Sequence, residues 1–160
     1  MPTAVTIFAA KYLVVVPPLV VAFVWLRSDS ETRRLLFWRA AVVAAVSVLL
    51  AVAGGAVYHE ERPFVLHHVL PLIPHPADNA FPSDHTLLSS ACAFLVLPFR
   101  RWAFGANLAL ACVVGAARVA CLLHSPLDIG ASIVFGALAN VAALAAIRAR
   151  TVPDADAAAA

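Results

Sequence analysis

Five stretches of this chain, each close to 20 residues and almost free of charge, restrict what it can become more than any other feature. They cover about residues 5–26, 40–58, 83–99, 102–123 and 126–147. A helix needs about 20 apolar residues to cross the hydrocarbon core of a bilayer. In that solvent every backbone polar group must be satisfied within the segment, which favours helices over open strands. The expectation is an all-α fold: a polytopic membrane helical bundle with about five transmembrane helices and a long loop on the outer side. Charged residues make up 12% of the chain, against about 25% in an ordinary soluble domain. Mean hydropathy is +0.92.

Pro17-Pro18 predict a kink in the first segment, and Lys11 can snorkel to the interface. No small-x-small cleavage site follows this segment, so it reads as a span and not as a removed leader. The segment at 83–99 is the shortest and needs its polar first turn at the membrane boundary. A single transmembrane domain over residues 1–150 is expected, followed by a disordered cytoplasmic tail at 151–160.

Basic residues fix the expected orientation. Arg27, Arg33, Arg34 and Arg39 lie at the first link, Arg100 and Arg101 at the third, and Arg148 and Arg150 after the last segment. All of these fall on one face if every segment spans, and the positive-inside rule makes that face cytoplasmic. The loop at 59–82 and the turn at 123–127 then face outward. The middle of that loop, from Phe64 to Ile73, is too apolar for a solvated linker. It is expected to lie along the interface, with a short interfacial helix, or to dip inward as a lid. The scattered arginines form no basic stripe, so nucleic acid is not an expected partner. Cys92, Cys112 and Cys121 read as small apolar residues with neither disulfide nor metal spacing.

On that outer side the topology collects three polar patches. His124 and Asp128 are four residues apart. Asp128 is either the N3 residue of a cap begun by Ser125 and Pro126, or the acceptor of a His124 ring N–H, which would leave the second ring nitrogen as a nucleophile. Arg118 either snorkels or clamps an anion beside His124. Arg62 either pairs with Glu60 or Glu61, or clamps phosphate. Ser83 either caps the third helix or joins its first-turn amides and His85 in an anion site. His59, His67, His68 and His75 have no compact metal spacing and read as interfacial decoration. Together the inventory fits phosphoryl transfer with no metal and no cofactor.

The order Arg62-Pro63-Phe64, Phe81-Pro82-Ser83-Asp84-His85, Arg118-x5-His124-x3-Asp128 resembles the three-part signature of the type 2 phosphatidic acid phosphatase superfamily. It looks most like the bacitracin-resistance-type undecaprenyl-diphosphatases. The resemblance covers residues 58–130. It implies that His124 is the nucleophile, forming a phosphohistidine, and that Asp128 orients it. His85 would be general acid and then base, and Arg62, Ser83 and Arg118 would bind the phosphoryl group. The implied substrate is a polyprenyl diphosphate lipid, undecaprenyl diphosphate, hydrolysed on the outer face of the cytoplasmic membrane among membrane lipids. Phosphatidate, phosphatidylglycerol phosphate or a lipid A phosphate would use the same machinery. From another class, a small transporter or non-catalytic subunit would place ionisable residues nearer the bilayer midplane. Two positions depart from the superfamily's pattern. Gly55 stands where a lysine usually opens the first motif, so either one phosphate contact is absent or another group, His59 or His75, replaces it. Asp84 stands where glycine is common, and Arg62 is its expected partner.

Overall fold

The computed structural model describes residues 3–151, and of 148–151 only the helical backbone; the tail expected to be disordered lies outside the described residues apart from Thr151. The elements are α1 (Ala4–Tyr12), a 3-10 turn (Leu13–Val15), α2 (Val16–Leu26), α3 (Ser30–Val57), α4 (Pro63–Leu66), α5 (Asp84–Val96), α6 (Arg101–Ala120) and α7 (Pro126–Thr151). An isolated bridge pairs Glu61 with Asn79.

Four stretches are long and apolar enough to span: Ala4–Leu26, Ser30–Val57, Arg101–Ala120 and Pro126–Ile147. The protein is a multi-pass membrane protein built as a helical bundle. The remaining expected span is α5. At about 1.5 Å per residue its 13 residues cover roughly 20 Å, short of the roughly 30 Å hydrocarbon core. It lies at the centre, packed on α2, α3, α6 and α7, and its interior face is small: Ser89, Ser90, Ala91, Cys92 and Ala93 are all buried. Asn140 of α7 donates to the Ala91 carbonyl at 3.2 Å. Close approach over small residues is how helices associate in lipid, where hydrophobic burial offers little drive.

The break in the first span falls one turn before the prolines. Pro17 and Pro18 lack an N–H for the carbonyls four residues back, and their rings crowd those carbonyls, so the chain tightens to 3-10 geometry at Leu13–Val15. The second span starts ten residues earlier than expected, at Ser30 instead of residue 40. Asp29 caps it, accepting from the N–H groups of Glu31 and Thr32 at 3.0 and 2.9 Å. Arg33 folds back to donate to the Trp25 and Leu26 carbonyls, so a charged run becomes the joint between α2 and α3.

Two apolar clusters mark the two ends. Val24, Leu36, Val43, Leu95, Val96, Ala139 and Ala143 belong to the cluster toward the arginine-bearing turns. Ala10, Phe64, Ile73, Ala117, Cys121 and Leu123 belong to the cluster under the long loop. That loop contains the expected short helix, α4, with Phe64 and Ile73 turned into the core and Leu66, Val69, Leu70 and Leu72 exposed.

Candidate active site

The site forms where α6 stops. Leu123 N–H returns to the Arg118 carbonyl at 3.1 Å and Leu122 N–H to Val119 at 2.9 Å. This is a Schellman turn with Leu122 at the left-handed position, φ 59°. A leucine there stores about 1 kcal/mol of backbone strain. In return the chain reverses within four residues, and His124 comes back to lie against Arg118. Next, Ser125 and Asp128 form a reciprocal cap: Ser125 N–H donates to Asp128 Oδ2 at 2.8 Å, and Asp128 N–H to Ser125 Oγ at 3.3 Å. The same Oδ2 lies 3.4 Å from His124 Nδ1. Capping and contact with the histidine are thus one arrangement, not alternatives.

The partners of His124 define its tautomer. Nδ1 faces the Ala80 carbonyl at 2.9 Å as well as Asp128, and both can only accept. Nε2 faces Arg118 Nη2 at 3.1 Å, which can only donate. The proton therefore sits on Nδ1, and Nε2 presents a lone pair. Arg118 also donates to the Ala10 carbonyl at 3.3 Å, beside the 3-10 break. Its Nε has no hydrogen-bond partner.

Arg62, His75, Asp78, Asp84, His85, Arg118 and His124 line one cleft of about 300 Å³. The structure thus brings Arg62, His85, Arg118 and His124 together, with Asp128 fully buried behind His124. Ser83 is placed differently from the expectation. It is fully buried, and its N–H donates to Ser132 Oγ at 2.9 Å. Its hydroxyl is turned to Thr86 Oγ1 at 3.2 Å and makes no backbone cap. Ser83 therefore stands under the cleft wall, tying α5 to α7. The first-turn amides of Asp84 and His85 lie above it, where the helix itself supplies no acceptor.

Arg62 is not paired with Glu60, Glu61 or Asp84. It donates through Nε to Asp78 Oδ1 at 2.8 Å, through Nη1 to the Leu123 carbonyl at 3.0 Å and through Nη2 to the Asn79 carbonyl at 3.3 Å. Partial burial would raise the Asp78 carboxyl, but the hydrogen bond and charge of Arg62 outweigh it and hold the group below its ordinary 3.8. His75 Nδ1 lies 3.8 Å from the same carboxylate. Burial, helped by the charges of Arg62 and Arg118, holds His75 below its ordinary 6.5.

Gly55, where the superfamily has lysine, has a local reason. A Cβ there would stand 3.2 Å from the Phe81 carbonyl, and one on Gly54 would stand 3.1 Å from the Phe81 ring. The glycine pair lets the 79–82 segment, with its cis Phe81-Pro82 bond, lie directly on α3. There the Phe81 ring packs edge-on with Tyr58 and Phe135. Of the two histidines considered as substitutes for the lysine, His75 lines the cleft.

Asn79, Asp78 and Ser132 were missed from sequence. Asn79 uses its whole amide: Oδ1 accepts from Glu60 and Phe81 N–H groups, and Nδ2 donates to the Gly55 and Tyr58 carbonyls, all at 3.0 Å. An Asp-Asn pair immediately before a motif was the available signal, since such residues organise turns through side-chain bonds to backbone. Ser132 follows Asp128 by four residues, hence lies on its helix face.

The chain belongs to the PAP2 superfamily, whose model matches residues 35–151. Its relatives narrow the comparison. It is 33% identical over 135 residues to the bacitracin transport permease protein BcrC of Bacillus licheniformis, covering 84% of this chain and 66% of that protein. It is 32% identical over 132 residues to the undecaprenyl-diphosphatase BcrC of Bacillus subtilis, covering 82% and 67%. It is 32% identical over 142 residues to the putative undecaprenyl-diphosphatase YbjG of Escherichia coli, covering 88% and 71%. The chain thus spans about two thirds of the length of these relatives. No solved structure matches it.

Proposed function

We propose that this protein is an integral-membrane phosphatase that hydrolyses undecaprenyl diphosphate to undecaprenyl phosphate and inorganic phosphate through a phosphohistidine. The observation that carries this reading is the His124 ring, with its proton on Nδ1 and an unprotonated Nε2 held against a guanidinium in a cleft that also contains His85. Superfamily membership and the names of the relatives support it.

The chemistry follows from the placement. The terminal phosphoryl group takes up the Arg118 guanidinium and the α5 first-turn amides, and Nε2 is released toward phosphorus. The P–N bond forms as the bridging P–O bond breaks, and His85 gives its proton to the departing lipid phosphate. Asp128 and the Ala80 carbonyl stabilise the positive charge that develops on the imidazole. Water then attacks the phosphorus and gives a proton to His85. The P–N bond breaks, phosphate leaves, and both histidines return to their starting states. Arg62, held by Asp78 and two carbonyls, fixes the loop wall and adds its charge to the cleft.

A lipid substrate is supported by a second cavity. A groove of about 420 Å³ runs between α2, α3 and α5, lined by residues such as Val21, Val43, Ala44, Leu88 and Leu95, and it shares Ala51 and Asp84 with the polar cleft. A hydrocarbon tail fits the groove while its diphosphate enters the cleft. The distribution of arginines supports an active site on the outer face of the cytoplasmic membrane.

The test is phosphate release by purified protein in detergent from undecaprenyl diphosphate, phosphatidate and phosphatidylglycerol phosphate. The diphosphate should be the best substrate. His124→Ala should lower turnover by at least about a thousandfold, with the helical content retained. Undiminished release by His124→Ala would remove the phosphohistidine. Preference for phosphatidate would leave the mechanism and replace the substrate.

A further inference from the structure

The stripe of α7 that begins at Asp128 continues beyond the residues used in the reaction above. Asp128, Ser132, Gly136 and Asn140 recur at every fourth position, share one face of the helix and are all buried. The last two bring that face onto α5. A Cβ on Gly136 would run into Ser90 Oγ and stand 2.9 Å from the Ala91 nitrogen, and Asn140 bonds the Ala91 carbonyl. Ser132 is fully buried and makes the contact at the cleft end of the stripe.

The bonds of Ser132 join two helix starts. Its Oγ accepts from Ser83 N–H at 2.9 Å, and its single hydrogen lies between the Asp128 carbonyl at 2.7 Å and the Ser83 carbonyl at 3.0 Å. Its own carbonyl accepts from Ser90 Oγ at 3.1 Å. One side chain thus ties both backbone groups of the residue before α5 to the backbone of the residue that faces His124. The two motif histidines of the cleft come from these same helix starts, His85 from the first turn of α5 and His124 from the turn before α7. A second link, His124 Nδ1 on the Ala80 carbonyl at 2.9 Å, runs through the reacting ring itself. Ser132 is the link that need not change as phosphoryl transfer proceeds.

We propose that Ser132 is a positioning residue for phosphoryl transfer: its hydroxyl holds the start of α5, with His85 and the first-turn amides, in register with the start of α7, where Asp128 holds His124. It touches no reacting atom. Its effect comes from the dependence of phosphoryl transfer on placement, where a small displacement between two reacting groups is costly in rate. Without the hydroxyl, Ser83 N–H is a buried donor with no acceptor, and the start of α5 must shift to find one. Asn140 supplies the contrast. It laces the same two helices through a bond of the same kind, but eight residues further along α7, about 12 Å from Ser132 at about 1.5 Å per residue. The proposal rests on the reading of His124 and His85 as the reacting pair.

The experiment compares wild type, Ser132→Ala, Ser132→Cys and Asn140→Ala as full-length protein in detergent, below the melting temperature of every variant. Ser132→Ala should lose about tenfold or more in kcat for undecaprenyl diphosphate, with KM within about twofold of wild type. Ser132→Cys keeps the size but donates and accepts weakly, and its kcat should fall between the two. Asn140→Ala should melt lower, as Ser132→Ala does, yet keep the wild-type kcat. An unchanged kcat in Ser132→Ala, or an equal loss in Asn140→Ala, would overturn the proposal, because lacing of the helices would then act through stability alone. Should Ser132→Ala lose its helical content, Ser132→Cys carries the comparison against Asn140→Ala. A reading without turnover comes from binding of orthovanadate, which takes up the five-coordinate geometry of phosphoryl transfer. Its affinity should drop about tenfold in Ser132→Ala and stay at the wild-type value in Asn140→Ala. Equal affinity in wild type and Ser132→Ala overturns the positioning role. If the affinity drops as expected while wild type hydrolyses no undecaprenyl diphosphate, the substrate reading fails and the role of Ser132 stands.

Discussion

The two ends of the bundle are held together by different physics. Under the long loop, buried polar groups reach far along the chain for their partners: Arg62 to Leu123, Arg118 to Ala10, His124 to Ala80, Ser83 to Ser132. At the arginine-bearing end the core is Val24, Leu36, Val43, Leu95, Val96 and alanines. There the buried guanidinium of Arg39 has Nε and Nη2 without hydrogen bonds. Directed bonds in a low-dielectric interior hold one geometry and penalise any missing partner, whereas aliphatic packing tolerates exchange at similar volume. The difference explains how a short chain keeps the polar groups of the cleft in one geometry in a solvent that gives helices little reason to associate.

The largest effect should come from the centre of the polar end. Asp128→Asn should lower kcat by about a hundredfold to ten-thousandfold, because the amide can present its NH₂ to Nδ1 and reverse the tautomer. Its helical content should be retained while its melting temperature falls slightly, since an NH₂ facing Nδ1 takes the position that accepts from Ser125 N–H in the wild type. A wild-type rate in this variant would return Asp128 to capping alone and erase the contrast between the ends.

A smaller effect is expected at the loop wall, and it depends on pH. The Asp78 carboxyl titrates below 3.8 in the folded protein because of Arg62. A depressed carboxyl contributes stability that is present above the unfolded value and is lost as pH falls through the folded one. The Asp78 side chain is 58% exposed, so the ion pair is screened and contributes under about 1 kcal/mol. Asp78→Asn should therefore melt slightly below wild type from neutral pH down to 4, with the gap closing in stronger acid. Its KM should rise more than its kcat falls, because Arg62 loses the group that fixes it at the wall. A gap that widens in acid would contradict the assignment of Asp78 as the partner of Arg62.

These contrasts also mark what the sequence could reveal. Apolar runs located the spans, because length and charge exclusion act locally. The gathering of Arg62, His85, Arg118 and His124 at one end followed from counting crossings. The start of α3 was hidden because Glu31, Arg33 and Arg34 resemble a link, and only their capping and back-folded bonds make them helix. The partner of Arg62 was hidden for a different reason. Glu60, Glu61, Asp78 and Asp84 are all acidic and all nearby in the chain, and the choice among them is made by the peptide plane of Asn79-Ala80, which no local pattern encodes. Ser83 looked like a ligand because its position at a helix start is legible, while its fully buried contact with Ser132, 49 residues away, is not.

The smallest effect is expected at the other end, from a residue that looks important by charge. Arg39 is 2% exposed, and its guanidinium stacks over Phe99 at 5.3 Å. The stacking offsets part of the cost of burying a cation, but the two unbonded nitrogens leave the desolvation largely uncompensated. Replacing a buried charge by an apolar residue of similar reach is often neutral or stabilising. Arg39→Met should therefore match wild type in stability or exceed it by about 1 kcal/mol, with kcat and KM unchanged, as measured by thermal melting and phosphate release in the same detergent. The remaining arginines at that end still carry the charge bias on which the proposed orientation rests. A clear loss of stability in Arg39→Met would mean that the apolar end, too, is organised around a directed polar contact, and the comparison of the two ends would have to be withdrawn.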